Sequence, residues 1–448
     1  MNNKSKSISA GKLKSMSSDF SGKRANMIAS NAAFKNGLAA AAEDYKAASK
    51  MPFTFSIDLD QGKTTNQKAS GRCWIFSALN TFRYEIIHKY NLDNFELSQN
   101  YIFFYDKLEK SNYFLESVIA TADEPVDGRL YSFINMAPLG DGGQWDMLAN
   151  LVNKYGVVPK DAYPDSANAA NSRMLCEYIS SKLREDAVVL RKAIAKGNSE
   201  AKVRQLKEDM MTDVYRMLAI SLGEPPKKFD LTLTDKDKKV ICEYGITPKK
   251  FYEKYVGLDL TDRVSLINAP ASNKPMNKMY TVKFLGNVIE GSPVSYLNVD
   301  IDIIKQAMIE QLKDGHPVWF GSDVSKFGLR DSGIWDRKSS GIEQFFNVSF
   351  DFSKGDRLIY GDSAMNHAMV ILGVNLDSKG RPNRWHIENS WGEKAGHNGH
   401  YLCSDAWFDE FVYQAVVDKK YLPEDVVALL DQKAIELEPW DPMGSLAD

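Results

Sequence analysis

The apolar residues of this chain recur at helical spacing mainly in its first half and gather into short β-like runs in its second half. From 73 to 90 they recur every three or four positions, which predicts a mostly buried helix with Cys73 at or near its N-terminus. Ser98 is a candidate N-cap for a second helix. Helices are predicted at 73–90, about 98–110, 144–155, within 168–222, and at 300–314.

After about residue 228 the helical pattern gives way to short runs of β-favouring residues with turn residues between them. The predicted strands are FDLTLT, VSLINAP, YTVKFLG, SPVSYLNV, HPVWFGSDV (316–324), HAMVILGV (367–374), RWHIENSW (384–391), HYLCS (400–404) and FDEFVYQAVVD (408–418). MPFTFSIDLD (51–60) is a further, isolated strand candidate. Helices therefore come first and strands last, which predicts an α+β fold and not an alternating βαβ series.

Composition narrows the class of protein. At 448 residues and 44% hydrophobic, the chain is long enough for two to three structural units. The formal net charge of −3 favours neither nucleic acid nor membrane, and no run of about 18 apolar residues predicts a membrane span. The N-terminus lacks the apolar stretch of a secretory signal. Four sparse cysteines without a CxxC pair predict no disulfide framework, no metal site and a reducing, cytoplasmic location.

Charge is uneven at the two ends. Residues 1–30 hold six Lys or Arg against one Asp, and residues 421–448 hold seven acidic residues against one lysine. Composition alone favours solvated tails at both ends. Weak helical periodicity around 25–48 predicts an N-terminal arm or helix on the outside of the core.

The run QKASGRCWIFSA (67–78) carries the candidate chemistry. A thiol is a useful nucleophile only as its thiolate, and its ordinary pKa near 8.5 leaves it mostly protonated at neutral pH. A helix N-terminus and a neighbouring imidazolium would both lower that pKa. Cys73 therefore requires a partner histidine, and Gln67 is a candidate oxyanion donor beside it.

Six histidines are candidates for that partner. His88 lies about four turns along the same helix, and His386 could point to either face of its strand. We interpret three others as solvent-facing or locally hydrogen-bonded: His316, His397 and His400. His367 is favoured because it opens an apolar strand after a small-polar segment, and because Asn389 follows 22 residues later. Asn389 could orient the imidazole, and the Trp391 indole could shield that bond from water.

Gln67, the Cys73-Trp74 helix start, His367 and the run Asn389-Ser390-Trp391-Gly392 together resemble the papain superfamily of cysteine peptidases. The 294 positions between Cys73 and His367 depart from the 130–150 that separate these partners in papain-like enzymes. With the segments DGGQWDMLANLVNKYGVVPK (141–160) and NHAMVILGV (366–374) and the ending WDPMGSLAD (440–448), the chain resembles the bleomycin hydrolase and bacterial aminopeptidase C family. The resemblance covers about residue 50 to the last residue.

The resemblance implies a reaction mechanism and a C-terminal segment that limits where the enzyme cuts, which we call the gate. Cys73 attacks the scissile carbonyl, His367 transfers protons, Asn389 holds the ring, and Gln67 stabilises the oxyanion. The last residues, Ala447 and Asp448, are expected in the cleft, where a terminal carboxylate meets the free α-amino group of the substrate. Whether Asp448 is trimmed to leave Ala447 as the end is open. Trp391 is expected at the substrate.

The resemblance also implies a two-lobed, papain-like α+β organisation. The expected units are an N-terminal arm or helix (1–50), a helical lobe with the Cys73 helix (51–160), a helical then mixed insertion (161–299), a β lobe with His367 and Asn389 (300–420), and a C-terminal arm (421–448). Expected partners are peptides with a free N-terminus and further copies in a homohexamer. No cofactor is implied.

Rival functions stay open at this point. The same four residues would serve an endopeptidase or an acyl transferase. A nucleic-acid-binding hexamer with incidental peptidase activity is a rival of another class, and lysines 4, 6, 12, 14 and 23 would contribute to its basic surface. A sequence pI near 6.2 does not favour that reading.

Overall fold

The structure is a computed structural model, and it describes residues 6–447. Its N-terminal part is helical, and helices carry the chain as far as Leu222 with only one short strand, Ile57–Asp58, between them. The main α-helices are Ala10–Ser21, Arg24–Asn36, Cys73–Lys89, Gln99–Ala120, Arg129–Met136, Trp145–Tyr155, Arg173–Ala195, Glu200–Leu222, Ile301–Lys313, Lys354–Ile359 and Asp405–Phe411.

Most strands of the second half join one mixed sheet, which has twelve strands among the described residues. From one edge to the other its order is Ile435–Leu437, Lys278–Val282, Tyr296–Asn298, Arg263–Ile267, Val412–Asp418, Val318–Ser322, His367–Leu376, Pro382–Glu388, His400–Ser404, Ile334–Trp335 and Gly328–Leu329, with Ile57–Asp58 paired to His367–Leu376. Strands Phe229–Thr234 and Val240–Ile246 form a separate antiparallel hairpin. The α+β class predicted from element order is confirmed.

The core places the Cys73–Lys89 helix against the sheet. Fourteen of its seventeen residues are buried, including Trp74, Ile75 and Phe82. The helix packs against the strand His367–Leu376, and the Trp319 indole of the next strand donates a hydrogen bond to the Trp74 carbonyl (3.3 Å). An all-round buried helix seated on a sheet cannot shift without opening the core, so its N-terminus is held at a fixed place beside His367.

Three predicted elements differ from the structure. The second helix begins after the Ser98 cap as predicted but continues to Ala120 and does not end at about residue 110; the Lys107 and Lys110 side chains within it are 0% and 7% exposed. Only Ile57–Asp58 of 51–60 pairs as a strand. The run 408–418 is divided, because the Ser404 hydroxyl accepts the Trp407 N–H and caps a helix before the strand begins at Val412.

The N-terminal arm lies on the outside of the molecule. The helices Ala10–Ser21 and Arg24–Asn36 bury none of their residues. No helix within residues 6–447 is long and apolar enough to cross a membrane.

Candidate active site

Cys73 is the first residue of its helix, and its side chain is 5% exposed. Arg72 immediately precedes it with a non-helical backbone, and the first N–H groups of a helix have no partner within that helix. The Cys73 N–H is one of these groups. The sulfur faces the start of the His367 strand, because the backbone of Ala368 makes a hydrogen bond to it.

His367 and Asn389 come together across the sheet as the sequence predicts. His367 Nε2 lies 2.8 Å from Asn389 Oδ1, and both side chains are buried. The amide oxygen also accepts the Ser390 N–H at 2.7 Å, which fixes its orientation. Because Nε2 is engaged by the amide, Nδ1 is the ring nitrogen left to exchange a proton. The arrangement therefore presents one nitrogen of the imidazole to chemistry and holds the other.

Trp391 covers the imidazole. Its ring stacks on the His367 ring with centroids 4.9 Å apart and planes 28° from parallel. The Tyr401 ring packs edge-on against the same indole at 5.7 Å. Desolvation strengthens a hydrogen bond between fixed groups, so the indole stabilises the His367–Asn389 pair.

Gln67 is held by both ends of its amide. Its Oε1 accepts the Ser390 hydroxyl at 2.6 Å, and its Nε2 donates to the Ser70 carbonyl at 2.6 Å. The backbone N–H of Gln67 donates to the Ser390 carbonyl at 2.8 Å. A primary amide carries two hydrogens on nitrogen, so one remains to donate to an oxygen in the cleft. Ser390, which lies in the Asn389 run, was not singled out in the sequence as a support for Gln67.

The ionisation of the pair is governed by burial. Burial raises the pKa of the Cys73 thiol to about 11, and the backbone hydrogen bonds from Ala368 and Trp74 offset only part of that rise. Burial likewise lowers the pKa of His367 to about 4, against the hydrogen bond to Asn389. Burial therefore opposes the lowering of the thiol pKa that the helix N-terminus predicts. Charging either group alone is unfavourable, and transfer of the thiol proton to the imidazole creates two charges that stabilise each other.

Asp141 connects the segment before Cys73 to the helical insertion. Its carboxylate accepts the Gly71 N–H at 3.0 Å and pairs with Lys107 Nζ at 2.8 Å. It also accepts hydrogen bonds from Ser172 and from the Cys176 thiol at 3.1 Å. Burial alone would raise the pKa of Asp141, but the Lys107 ammonium and these donors hold it well below its ordinary value.

The backbone around Asp141 is fixed just as firmly. The Trp74 indole donates to the Asp141 carbonyl at 2.9 Å, and Lys110 Nζ donates to the carbonyls of Gly140 and Gly142. For this region the sequence predicted only the helix at 144–155. The buried carboxylate and the two glycines that follow it were missed, because a Gly-rich run carries no signal of what its backbone contacts.

The C-terminal segment enters this site. A 3₁₀ turn at Pro442–Ala447 buries Met443, Gly444 and Leu446, so the solvated C-terminal tail favoured by composition is wrong. The Leu446 carbonyl accepts the Gly143 N–H at 3.0 Å, and the Ser445 hydroxyl donates to the Met365 carbonyl at 2.8 Å. The tail thus contacts both the glycines after Asp141 and the segment just before His367.

Two further contacts anchor the same segment. The Met443 carbonyl accepts the Tyr296 hydroxyl at 3.1 Å, and Lys274 pairs with Asp441 at 2.7 Å with both side chains nearly fully buried. Ala447, predicted at the substrate, lies against Gly142: a Cβ built on that glycine would be 3.0 Å from the Ala447 Cα. Asp448, the other predicted tail residue, lies outside the described residues.

The other histidines lie elsewhere in the fold. His386 Nδ1 contacts Asp58 at 2.6 Å and its Nε2 contacts His400 Nδ1 at 3.0 Å, His397 stacks on Phe53, and His316 Nδ1 contacts Glu85 at 2.8 Å. Within residues 6–447 no three His, Cys, Asp or Glu side chains are grouped so as to hold a metal ion. Among the histidines, His367 opens the strand that packs against the Cys73 helix.

Comparison with known proteins places this site in a family. The sequence model described as the Peptidase C1-like family matches residues 7–444. Aminopeptidase C of Lactobacillus delbrueckii subsp. lactis is 48% identical over 447 residues, 99% of each chain. Bleomycin hydrolase of Gallus gallus is 42% identical over 403 residues, 88% of each chain. A crystal structure of pepw from Lactobacillus rhamnosis has a TM-score of 0.96 at 47% identity, covering 98% of this chain and 99% of that one.

These matches extend over nearly the full length of the chain. They include the helical insertion that separates Cys73 from His367 by 294 positions, a spacing that distinguishes this chain from papain itself. The predicted family and the predicted papain-like α+β fold are confirmed. The chain therefore belongs to the Peptidase C1-like family, among the relatives of aminopeptidase C and bleomycin hydrolase.

Proposed function

We propose that this protein is a cysteine aminopeptidase that removes residues from the free N-termini of peptides, with its own C-terminal segment limiting where it cuts. The relatives named aminopeptidase C, 48% identical over 99% of the chain, support the activity. The observation that supports the proposal is the hydrogen bond from the Gly143 N–H to the Leu446 carbonyl, because Gly143 also lies against the Trp74 indole of the Cys73 helix.

The first half of the reaction transfers the acyl group to sulfur. The Cys73 thiol gives its proton to His367 Nδ1, and the thiolate attacks the scissile carbonyl carbon. The carbonyl oxygen becomes an oxyanion that accepts the Cys73 N–H and the free Gln67 Nε2–H. His367 then gives its proton to the leaving amine as the C–N bond breaks, which leaves a thioester on Cys73.

The second half releases the acyl group. His367 removes a proton from water, the resulting hydroxide attacks the thioester carbonyl, and the same two donors stabilise the oxyanion. The sulfur leaves and takes back the proton. Asn389 contributes throughout by holding the ring through Nε2, at 2.8 Å.

The tail accounts physically for exopeptidase selectivity. A segment docked on Gly142 and Gly143 fills the acyl side of the cleft, so that a substrate has room for only a short stretch before the scissile bond. Pairing between a terminal carboxylate and the substrate's α-ammonium group would favour charged N-termini over blocked ones. An endopeptidase requires this space to be open.

Two features support a homo-oligomer, for which the family resemblance implies six copies. The outer helices expose apolar side chains, among them Leu13, Met16 and Phe20, and the Phe34 side chain is 96% exposed. Contiguous exposed apolar residues are typical of interfaces. Light scattering of wild type and Phe34→Glu tests this: the variant should dissociate, and an unchanged mass would contradict the interface.

A cytoplasmic location is proposed on the chemistry of the cysteines. All four, Cys73, Cys176, Cys242 and Cys403, are free thiols. Free cysteines persist in reducing compartments. Nucleic acid is not proposed as a partner, because the net charge is −3 and binding to phosphates requires a basic surface.

Activity of the full chain against a panel of aminoacyl-coumarin substrates tests the proposal. Wild type should release the fluorophore, Cys73→Ala should not, and deletion of 445–448 should add cleavage inside peptides with blocked N-termini. Wild-type release that persists in Cys73→Ala would contradict the nucleophile. An unchanged cleavage pattern in the deletion variant would contradict the gate, and transfer of the acyl group to added amines in preference to water would favour an acyl transferase.

A further inference from the structure

An arginine lies against the tryptophan that covers the His367 imidazole. The Arg330 guanidinium carbon is 4.5 Å from the centroid of the Trp391 ring, and the His367 ring is 4.9 Å from that same centroid. The guanidinium carbon is thus no more than 9.4 Å from the centre of the His367 ring, the sum of those two distances. Arg330 follows the strand Gly328–Leu329 and its side chain is exposed.

The charge of Arg330 is not neutralised by an ion pair within residues 6–447. No described carboxylate oxygen lies within 4.0 Å of its guanidinium nitrogens, and the neighbouring Asp331, also exposed, is beyond that distance. Most other arginines of the core are paired, as Arg83 is with Glu388 and Arg357 with Glu410. The indole holds the guanidinium in place by a cation–π contact, and the Tyr401 hydroxyl interacts with the same group, which leaves the other guanidinium N–H groups for a further acceptor.

The position of Arg330 relative to the reaction follows from the proposed function, on which this inference rests. The tail occupies the acyl side at Gly142 and Gly143, and the leaving amine must meet His367 to receive its proton. The leaving part of the substrate therefore begins at His367 and runs past Trp391. A guanidinium within 9.4 Å of the imidazole is within reach of the first leaving residue, whose side chain or terminal carboxylate extends roughly 4–7 Å from its amine nitrogen.

We propose that Arg330 is a specificity residue that pairs with a carboxylate on the leaving side of the scissile bond. The favoured substrates carry that carboxylate as the free C-terminus of a dipeptide or as an Asp or Glu side chain directly after the bond. Arginine suits this task, because its planar group binds a carboxylate through two parallel hydrogen bonds while its face stays on the indole.

Matched peptide pairs test the proposal in the full-length enzyme. Ala-Gly against Ala-Gly-amide varies the terminal carboxylate, and Ala-Glu-amide against Ala-Gln-amide varies the side chain. For each variant the readout is the ratio of kcat/KM within a pair, so that a general change of activity transmitted through Trp391 cancels. Arg330→Met removes the charge, Arg330→Lys keeps it without the planar fork, and Asp331→Asn removes the nearest opposing charge.

In wild type at least one ratio should favour the carboxylate by about three- to ten-fold, the range expected for a partly exposed charge-assisted pair. That ratio should fall to about one in Arg330→Met and be retained in part in Arg330→Lys. In Asp331→Asn it should be no smaller than in wild type. In wild type it should decrease between 50 and 500 mM salt. The peptide pair whose ratio changes in Arg330→Met shows whether Arg330 binds the terminal carboxylate or the side-chain carboxylate.

Ratios of one in wild type, or a wild-type preference that Arg330→Met retains, would overturn the proposal. Equal loss on both members of a pair leaves the ratio unchanged and so counts against it as well. Failure of the proposed function is distinguishable, because it would appear as wild-type enzyme that releases no N-terminal alanine from any of the four peptides.

Discussion

Replacement of Gly142 by alanine should undock the C-terminal segment while leaving the fold intact. An ideal Cβ on Gly142 would lie 2.1 Å from the Leu446 carbonyl oxygen and 3.0 Å from the Ala447 carbonyl carbon. Non-bonded carbon and oxygen do not approach within 3.0 Å, so the tail must withdraw by about 1 Å. Gly142 does not have the left-handed φ that would make alanine itself strained.

The cost of this change can be worked from the contacts. Withdrawal breaks the 3.0 Å hydrogen bond from the Gly143 N–H to the Leu446 carbonyl, a loss of about 0.5–1.5 kcal/mol. Overpacking adds about 1–3 kcal/mol. Docking is therefore weakened by about 1.5–4.5 kcal/mol, or roughly 10- to 2,000-fold in the docked-to-undocked ratio.

Two assays report docking. Digestion with a carboxypeptidase, followed by intact mass, should remove the last residues of Gly142→Ala faster than those of wild type. The kcat/KM preference for an aminoacyl-coumarin over its acetylated copy should fall, because the carboxylate no longer holds the α-ammonium. Gly444→Ala is the matched control, since its Cβ would meet nothing closer than 3.7 Å. If Gly142→Ala resists the carboxypeptidase as well as wild type does and keeps the wild-type preference for the unblocked substrate, the tail is not undocked by this substitution.

Four further variants test the site. Gln67→Ala should lower kcat about 10²–10³-fold with little change in KM. Ser390→Ala should lower kcat less, because it frees only the Gln67 Oε1. Equal effects of the two substitutions would contradict the oxyanion role of Gln67. In His367→Ala the buried Cys73 thiol keeps a pKa near 11. Alkylation of this variant by iodoacetamide at pH 7 should therefore be at least 100-fold slower than that of wild type, and its rate should rise steadily with pH. A wild-type rate of alkylation would refute proton transfer to His367. Asp141→Asn should lower the free energy of unfolding in urea by about 3 kcal/mol, because buried Lys107 loses its partner, and an unchanged midpoint would contradict that pairing.

The sequence predicted the catalytic candidates well because their constraints are local. Cys73 opens a helix whose apolar spacing is visible in the chain, and Asn389 follows His367 at a spacing that suits neighbouring strands. Strand pairing then brings the imidazole to the amide without any long-range information beyond that adjacency. Their roles in the reaction remain predictions for the experiments above.

Other parts depend on contacts that composition conceals. Lys107 and Lys110 are charged residues whose sequence context shows no partner, but they are buried against Asp141 and against backbone carbonyls. Leu446 lies in an acidic segment, and its burial follows from one hydrogen bond to Gly143 across the fold. Likewise, the strand Ile435–Leu437 joins the sheet through a parallel partner 155 positions earlier, which no local pattern reveals.

The ionisation of Cys73 shows the same limit. The helix N-terminus is visible in the sequence and argues for a lowered pKa, whereas the burial that raises it depends on the packing of the helix against the strand His367–Leu376, which lies far away in sequence. The balance between these effects could be read only from the packed site.

The most direct test of the central claim is a mass-resolved time course of one unblocked peptide and its Nα-acetylated copy with the full-length enzyme. The account predicts stepwise loss of single N-terminal residues from the unblocked peptide and no comparable cleavage of the acetylated copy. Equal cleavage of both peptides, or internal fragments appearing first, would contradict an aminopeptidase whose cut is set by the docked C-terminal segment.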